Sequence, residues 1–139
     1  MNSYKFDDIS VGLEEHFIVK VDADKLDKFL EISGDTNPLH TDSEYSKSKG
    51  FVDRVAYGML TSSFFSTLVG VYLPGKYCIL QSIDIKFPKP VYIDDILTIT
   101  GKVSYINEAY KQLEIKAVII NQDNKKVSKA TIKVGVIDE

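Results

Sequence analysis

Residues 59–73 read MLTSSFFSTLVGVYL, a stretch apolar on most sides of a helix and closed by Pro74-Gly75. It predicts a buried helix, because a segment without a polar face has to be covered all round. From Gly58 onward, Ser62, Ser66 and Gly70 recur at four-residue steps. Such a stripe of small side chains leaves either a close packing surface or room for a ligand. Directly after Pro74-Gly75 the period changes from helical to two, with Ile79, Gln81, Ile83, Ile85 and Phe87 alternating against Leu80, Ser82, Asp84 and Lys86. That is a strand. Pro88-Lys89-Pro90 interrupts it, Asp94-Asp95 marks a turn, and residues 96–106 are again rich in β-branched side chains. Residues 112–121 and 127–137 give two more strands around the turn-forming Gln122-Asp123-Asn124. Upstream, residues 14–21 read as a first strand. Asp22 or Asp24 then caps a helix whose Leu26, Phe29 and Leu30 form one stripe, ended by Gly34. Asp42 opens a short second helix, with Tyr45 as its anchor and Gly50 as its stop. The expected architecture is α+β, an antiparallel sheet, mostly meander, curled around one buried helix.

Composition narrows the function classes. The 139 residues suit a single domain spanning the whole chain, of a size that buries about two thirds of its unfolded surface. With 44% hydrophobic and 27% charged residues, neither a disordered nor a fibrous class is indicated. A net charge of -3 argues against nucleic acid as principal partner, although 17 Lys and Arg leave room for local basic patches. Lys86 and Lys89 could meet phosphates, but a solvated strand end is the better reading of them. The single Cys78 has no internal disulfide partner and lies in an apolar run, so it reads as an inert thiol in a reducing cytosol. No leader-like or membrane-length apolar segment is visible, and a cytoplasmic, non-membrane protein is expected. His16 lacks a second His, Cys or close carboxylate pair to complete a metal set, and receives no role.

The chemistry is concentrated upstream of the long helix. Gly34-Asp35-Thr36-Asn37-Pro38-Leu39-His40 places a carboxylate and an imidazole five residues apart on a segment that Gly34 and Pro38 keep from being continuous helix. A rigid loop presenting an acid–base pair is expected. Imidazole titrates near neutral pH and a carboxylate can orient it, which is common equipment for moving protons.

The wider stretch resembles the motif of the R-specific enoyl-CoA hydratases, or MaoC-like dehydratases. It carries Phe29, the run Gly34 to His40, then Asp42, Tyr45 and Tyr57-Gly58-Met59-Leu60, with Tyr57 where that family usually has histidine. The resemblance implies a hotdog fold and the hydration of trans-2-enoyl thioesters, or the reverse dehydration. It implies Asp35 and His40 as a dyad holding one water, with Asp35 as base and His40 positioning the water and relaying its proton. It also implies the Gly58 backbone N–H, at a helix start, as the group that polarises the thioester oxygen. Ser66 matches a serine near the dyad in relatives, though a hydroxyl bonded to its own helix is an equal reading. Asn37 is expected to brace the loop at the substrate's edge, and Tyr57 to shape the pocket mouth. The substrate carrier is coenzyme A or acyl carrier protein, and a homodimer with a tunnel between protomers is implied. No cofactor or metal is expected, since hydration needs none and no Walker, dinucleotide or nucleophile-elbow motif occurs. Bulk from Phe64, Phe65 and Tyr72 points to acyl chains of short to medium length. The competing readings are a hotdog acyl-thioester hydrolase and a non-catalytic acyl-binding domain.

Overall fold

The change of period after Pro74-Gly75 is the hinge of the architecture, with helices before it and most of the sheet after it. The computed structural model describes residues 1–138. In chain order these residues form β1 (Glu14–Lys20), α1 (Ala23–Ser33), α2 (Pro38–Thr41), α3 (Ser43–Ser48), α4 (Gly58–Thr67), β2 (Cys78–Lys86), β3 (Ile96–Asn107), β4 (Gln112–Ile120) and β5 (Lys126–Val136). All strand pairings are antiparallel, in the order β1-β3-β4-β5-β2.

Only β3, β4 and β5 form a meander. Strand β2 stands outside it: the connection 87–95 carries the chain across the sheet, and β2 closes the far edge against β5. The sheet curls around α4, whose Leu60, Phe64 and Phe65, with Leu68 beyond them, share one core with Leu97, Ile99, Leu113, Ile115 and Ile132. Small residues make the trough for the helix. Gly101, Ala117 and Ala130 pair in one row across β3, β4 and β5, all buried. At Gly101 a side chain would come within 2.7 Å of the Leu68 methyl and 3.2 Å of Ile115. This is the hotdog arrangement.

The long helix spans nearly the expected residues. It begins one residue earlier, at Gly58, and after Thr67 widens into a π-helical turn over Leu68–Tyr72, closed by the Leu73 N–H on the Leu68 carbonyl at 2.9 Å. Helix α1 is capped by the Asp22 side chain on the Lys25 N–H and ended by Gly34 in the left-handed region. Helix α3 is capped by Asp42, as expected, but Tyr45 is exposed. Its anchor is the buried Ser46, whose hydroxyl bonds the Leu39 carbonyl at 2.7 Å. Small size lets Ser46 sit where two helical turns meet. Cys78 is half-buried, and burial pushes its thiol up to about 11, so the thiolate needed for reactivity is scarce near neutral pH.

Candidate active site

Asn37 and Pro38 decide where the dyad stands. The Asn37 side chain accepts the Leu39 N–H at 2.9 Å and Pro38 occupies the first turn of α2, a position that needs no amide donor. His40 therefore lies on a short helical turn, which corrects the expectation of a loop through that residue. Asp35 precedes the turn on an exposed segment outside helix and strand, and its Oδ1 accepts the Asn37 N–H at 3.1 Å. That bond fixes the carboxylate and leaves Oδ2 for water.

His40 is held from three directions. Its Nδ1 lies 2.6 Å from the Val55 carbonyl, its own carbonyl accepts from Arg54 Nε at 2.7 Å, and its ring lies 4.1 Å from the Tyr57 ring. A carbonyl can only accept, so Nδ1 carries a proton, and it is Nε2 that is bare in the neutral form of the ring. The segment that supplies these contacts is itself anchored: the Val55 N–H donates to Leu39, the Ala56 N–H to Val91, and Arg54 reaches Asp27 at 3.9 Å.

Asp35, His40, Tyr57 and Gly58 line one cavity of about 310 Å³, closed by Phe29, Ser33, Met59 and Phe87. His40, Gly58 and Phe87 also line a second hollow of about 300 Å³ toward Phe51, Thr61 and the Pro88–Pro90 segment. As the first residue of α4, Gly58 has a backbone N–H without an intrahelical acceptor, at the positive end of the helix. Asp35, His40 and Gly58 thus line one apolar-walled space, residue types able to hold a water, move its proton and stabilise a developing oxyanion.

Other expected residues fall elsewhere. Ser66 is exposed on α4 and lines an adjoining cavity of about 280 Å³ with Ser62, Leu80, Ile83 and Ile85; this cavity meets the dyad cavity only through Met59. Asn37 lies outside the lining of both dyad hollows, its side chain engaged in capping α2. Tyr57 is not at the mouth. It is 2% exposed, forming the wall behind the dyad, because the chain enters α4 from the core side. Phe64 belongs to the core, and Tyr72 stacks on Phe17 at 4.9 Å, so of the three bulky residues only Phe65 reaches the groove and the chain-length argument loses its basis. The sequence reading missed Arg54, Val55 and Phe87. Among the described residues no cluster of three or more His, Cys, Asp or Glu could hold a metal.

A sheet curled around a helix whose start shares a cavity with Asp35 and His40 defines a hotdog fold with an acid–base pair at the head of its helix. The MaoC-like domain model matches residues 12–130. The (R)-specific enoyl-CoA hydratase of Rhodospirillum rubrum is 34% identical over 99 residues, covering 71% of this chain and 69% of that protein. A mitochondrial 3-hydroxyacyl-[acyl-carrier-protein] dehydratase of Arabidopsis thaliana is 42% identical over 67 residues, 48% of this chain and 39% of that one. Among solved structures, the unliganded R-hydratase PhaJ1 of Pseudomonas aeruginosa superposes with a TM-score of 0.90 at 25% identity, covering 97% of this chain and 86% of its own. The chain belongs to the MaoC-like dehydratase family, with the (R)-specific enoyl-CoA hydratases as homologues.

Proposed function

We propose that this chain adds water to trans-2-enoyl thioesters to give (R)-3-hydroxyacyl thioesters, and catalyses the reverse dehydration, with Asp35 and His40 as the catalytic pair. The observation that carries the reading is the single cavity onto which Asp35, His40 and Gly58 all open. A water between the Asp35 carboxylate and His40 Nε2 donates one hydrogen to each, which turns its lone pair toward the substrate. As its oxygen bonds to C3, Asp35 takes one proton and the C2=C3 electrons move onto the thioester oxygen, held by the Gly58 N–H. The proton returns to C2 and the carbonyl reforms. Nothing is consumed but water, and equilibrium sets the direction.

The acyl chain leaves the dyad past Met59 and runs toward Ser66, Leu80 and Ile83, the groove between α4 and β2. Strand β2 is an edge strand, and Met59, Ile79, Leu80 and Ile83 are exposed apolar residues on or beside it. A second copy covering this face would roof the groove and bury an unpaired edge. Sedimentation at micromolar concentration is expected to read a dimer; a fully active monomer would remove the roofed-tunnel picture.

The carrier is coenzyme A or acyl carrier protein, both of which present a phosphopantetheine thioester. No helix among the described residues is long and apolar enough to cross a membrane, and a single cysteine, with no disulfide to form within the chain, fits a reducing cytoplasm. The deciding experiment incubates the protein with a short trans-2-enoyl thioester on each carrier, following loss of the conjugated double bond alongside release of free thiol. Loss of the double bond without thiol is expected. Thiol release would favour a hydrolase, and silence on both carriers a binding domain.

A further inference from the structure

Tyr57 contacts Asp35 and His40 and stands one residue before Gly58, and no step of the proposed reaction uses its phenol. Its O–H donates to the Asp35 carbonyl at 2.8 Å. Its ring lies 4.1 Å from the His40 imidazole at 31°, with Phe29 against it at 4.8 Å. Its own position is the cap of α4, one residue before Gly58. We infer that Tyr57 is a positioning residue that clasps Asp35, His40 and the Gly58 amide into one geometry, an inference that rests on the reading of Asp35 and His40 as the reacting pair.

The need for such a clasp follows from the exposure of the segment it holds. Residues 34–38 are all exposed, and the other bonds at Asp35 are local: its N–H to Ser33 Oγ and its Oδ1 to the Asn37 N–H. The phenol is the bond that ties the Asp35 main chain across to the start of the long helix. A displacement of about 1 Å in such a pair can cost on the order of a hundred-fold in rate. Burial and the neighbouring Asp35 charge raise the phenol above its ordinary value, so it stays a donor through neutral pH. An imidazole at this position is shorter and could keep the stacking, but the reach to the Asp35 carbonyl belongs to tyrosine.

The chain has only two histidines, and His16 is exposed on β1, which makes the imidazole resonances a direct readout. Tyr57→Phe keeps the ring and removes the O–H; Tyr57→Leu removes both. In Tyr57→Phe the turnover number is expected to fall about five-fold, the scale of one hydrogen bond, with KM within about two-fold of wild type on the scale of unchanged ground-state binding. The His40 ring protons should stay shifted away from those of His16. In Tyr57→Leu they should move toward the His16 values, while His16 itself does not move and turnover falls about a hundred-fold. An unchanged turnover number in Tyr57→Phe, a loss confined to KM, or a His40 signal indifferent to Tyr57→Leu would overturn the clasp. Complete loss in folded Tyr57→Phe would also overturn it, by making the phenol a reacting group. If Tyr57→Leu fails to fold, Tyr57→Phe decides. If wild type hydrates no enoyl thioester, the proposed activity fails while the His40 spectra still test the clasp.

Discussion

Asp35→Asn and His40→Gln are each expected to lower the turnover number by about a hundred-fold or more, the scale of a lost general acid or base. The double variant should be little worse than the poorer single. Asparagine keeps the shape of the carboxylate and can still accept the Asn37 N–H that Asp35 Oδ1 accepts at 3.1 Å, so the turn before α2 should survive. What disappears is the charge that takes the water's proton. Glutamine in place of His40 keeps a polar group but loses the bare Nε2 that the Val55 carbonyl creates by holding the proton on Nδ1. Both losses fall on one water, so they cannot add. Hydration rates of wild type, the two singles and the double, with circular dichroism and thermal melts to verify folding, check the expectation. Either folded single keeping more than about a tenth of wild-type turnover, far above the loss for such a group, would exclude Asp35 and His40 as the pair.

How far this site could be read from sequence depends on which atoms carry it. Side chains with strong local constraints were legible: Gly34 at the end of α1 and Asp42 at the start of α3 fall where capping rules put them. The turn of α2 was legible in principle, since Asn followed by Pro is a cap and first residue of a helix, yet the same proline argued for a loop. Groups acting through main chain were not. The Val55 carbonyl that sets the His40 tautomer has no signature in residue type, and Arg54 looks like any half-buried cation until its Nε is seen on the His40 carbonyl.

The fold shows the same division. Alternation, β-branched content and turn residues located every strand, because these are properties of the strand and its own ends. Pairing is a property of two strands, and nothing within residues 78–86 says that their partner is β5 rather than β3. Phe87 follows from that pairing. Once β2 is carried to the far edge, its last residues swing over the start of α4, and Phe87 becomes a wall of both hollows.

That wall frames the second large effect, in which Gly58→Ala abolishes most turnover without loss of stability. A Cβ built at Gly58 comes 3.1 Å from the Phe87 ring, a tight contact that a half-exposed aromatic can relieve by a small swing. Alanine also costs less backbone entropy than glycine in a helix, by roughly 0.5–1 kcal/mol. The melting temperature should therefore hold or rise. Activity should not. The Cα–Cβ bond of a helical residue tilts toward the helix N-terminus, and from that side a thioester oxygen must approach the Gly58 N–H. A methyl there shields the donor, and losing one such donor costs about a hundred- to a thousand-fold. Replacing Phe87 by leucine in the same chain removes the ring contact but leaves the methyl beside the amide, so Gly58→Ala/Phe87→Leu should stay as slow as Gly58→Ala. Turnover and melting temperature of both variants decide the matter: recovery in the double would place the damage in the displaced ring, and a folded Gly58→Ala with more than about a tenth of wild-type turnover, well outside the range for a lost oxyanion donor, would remove the Gly58 amide from the mechanism.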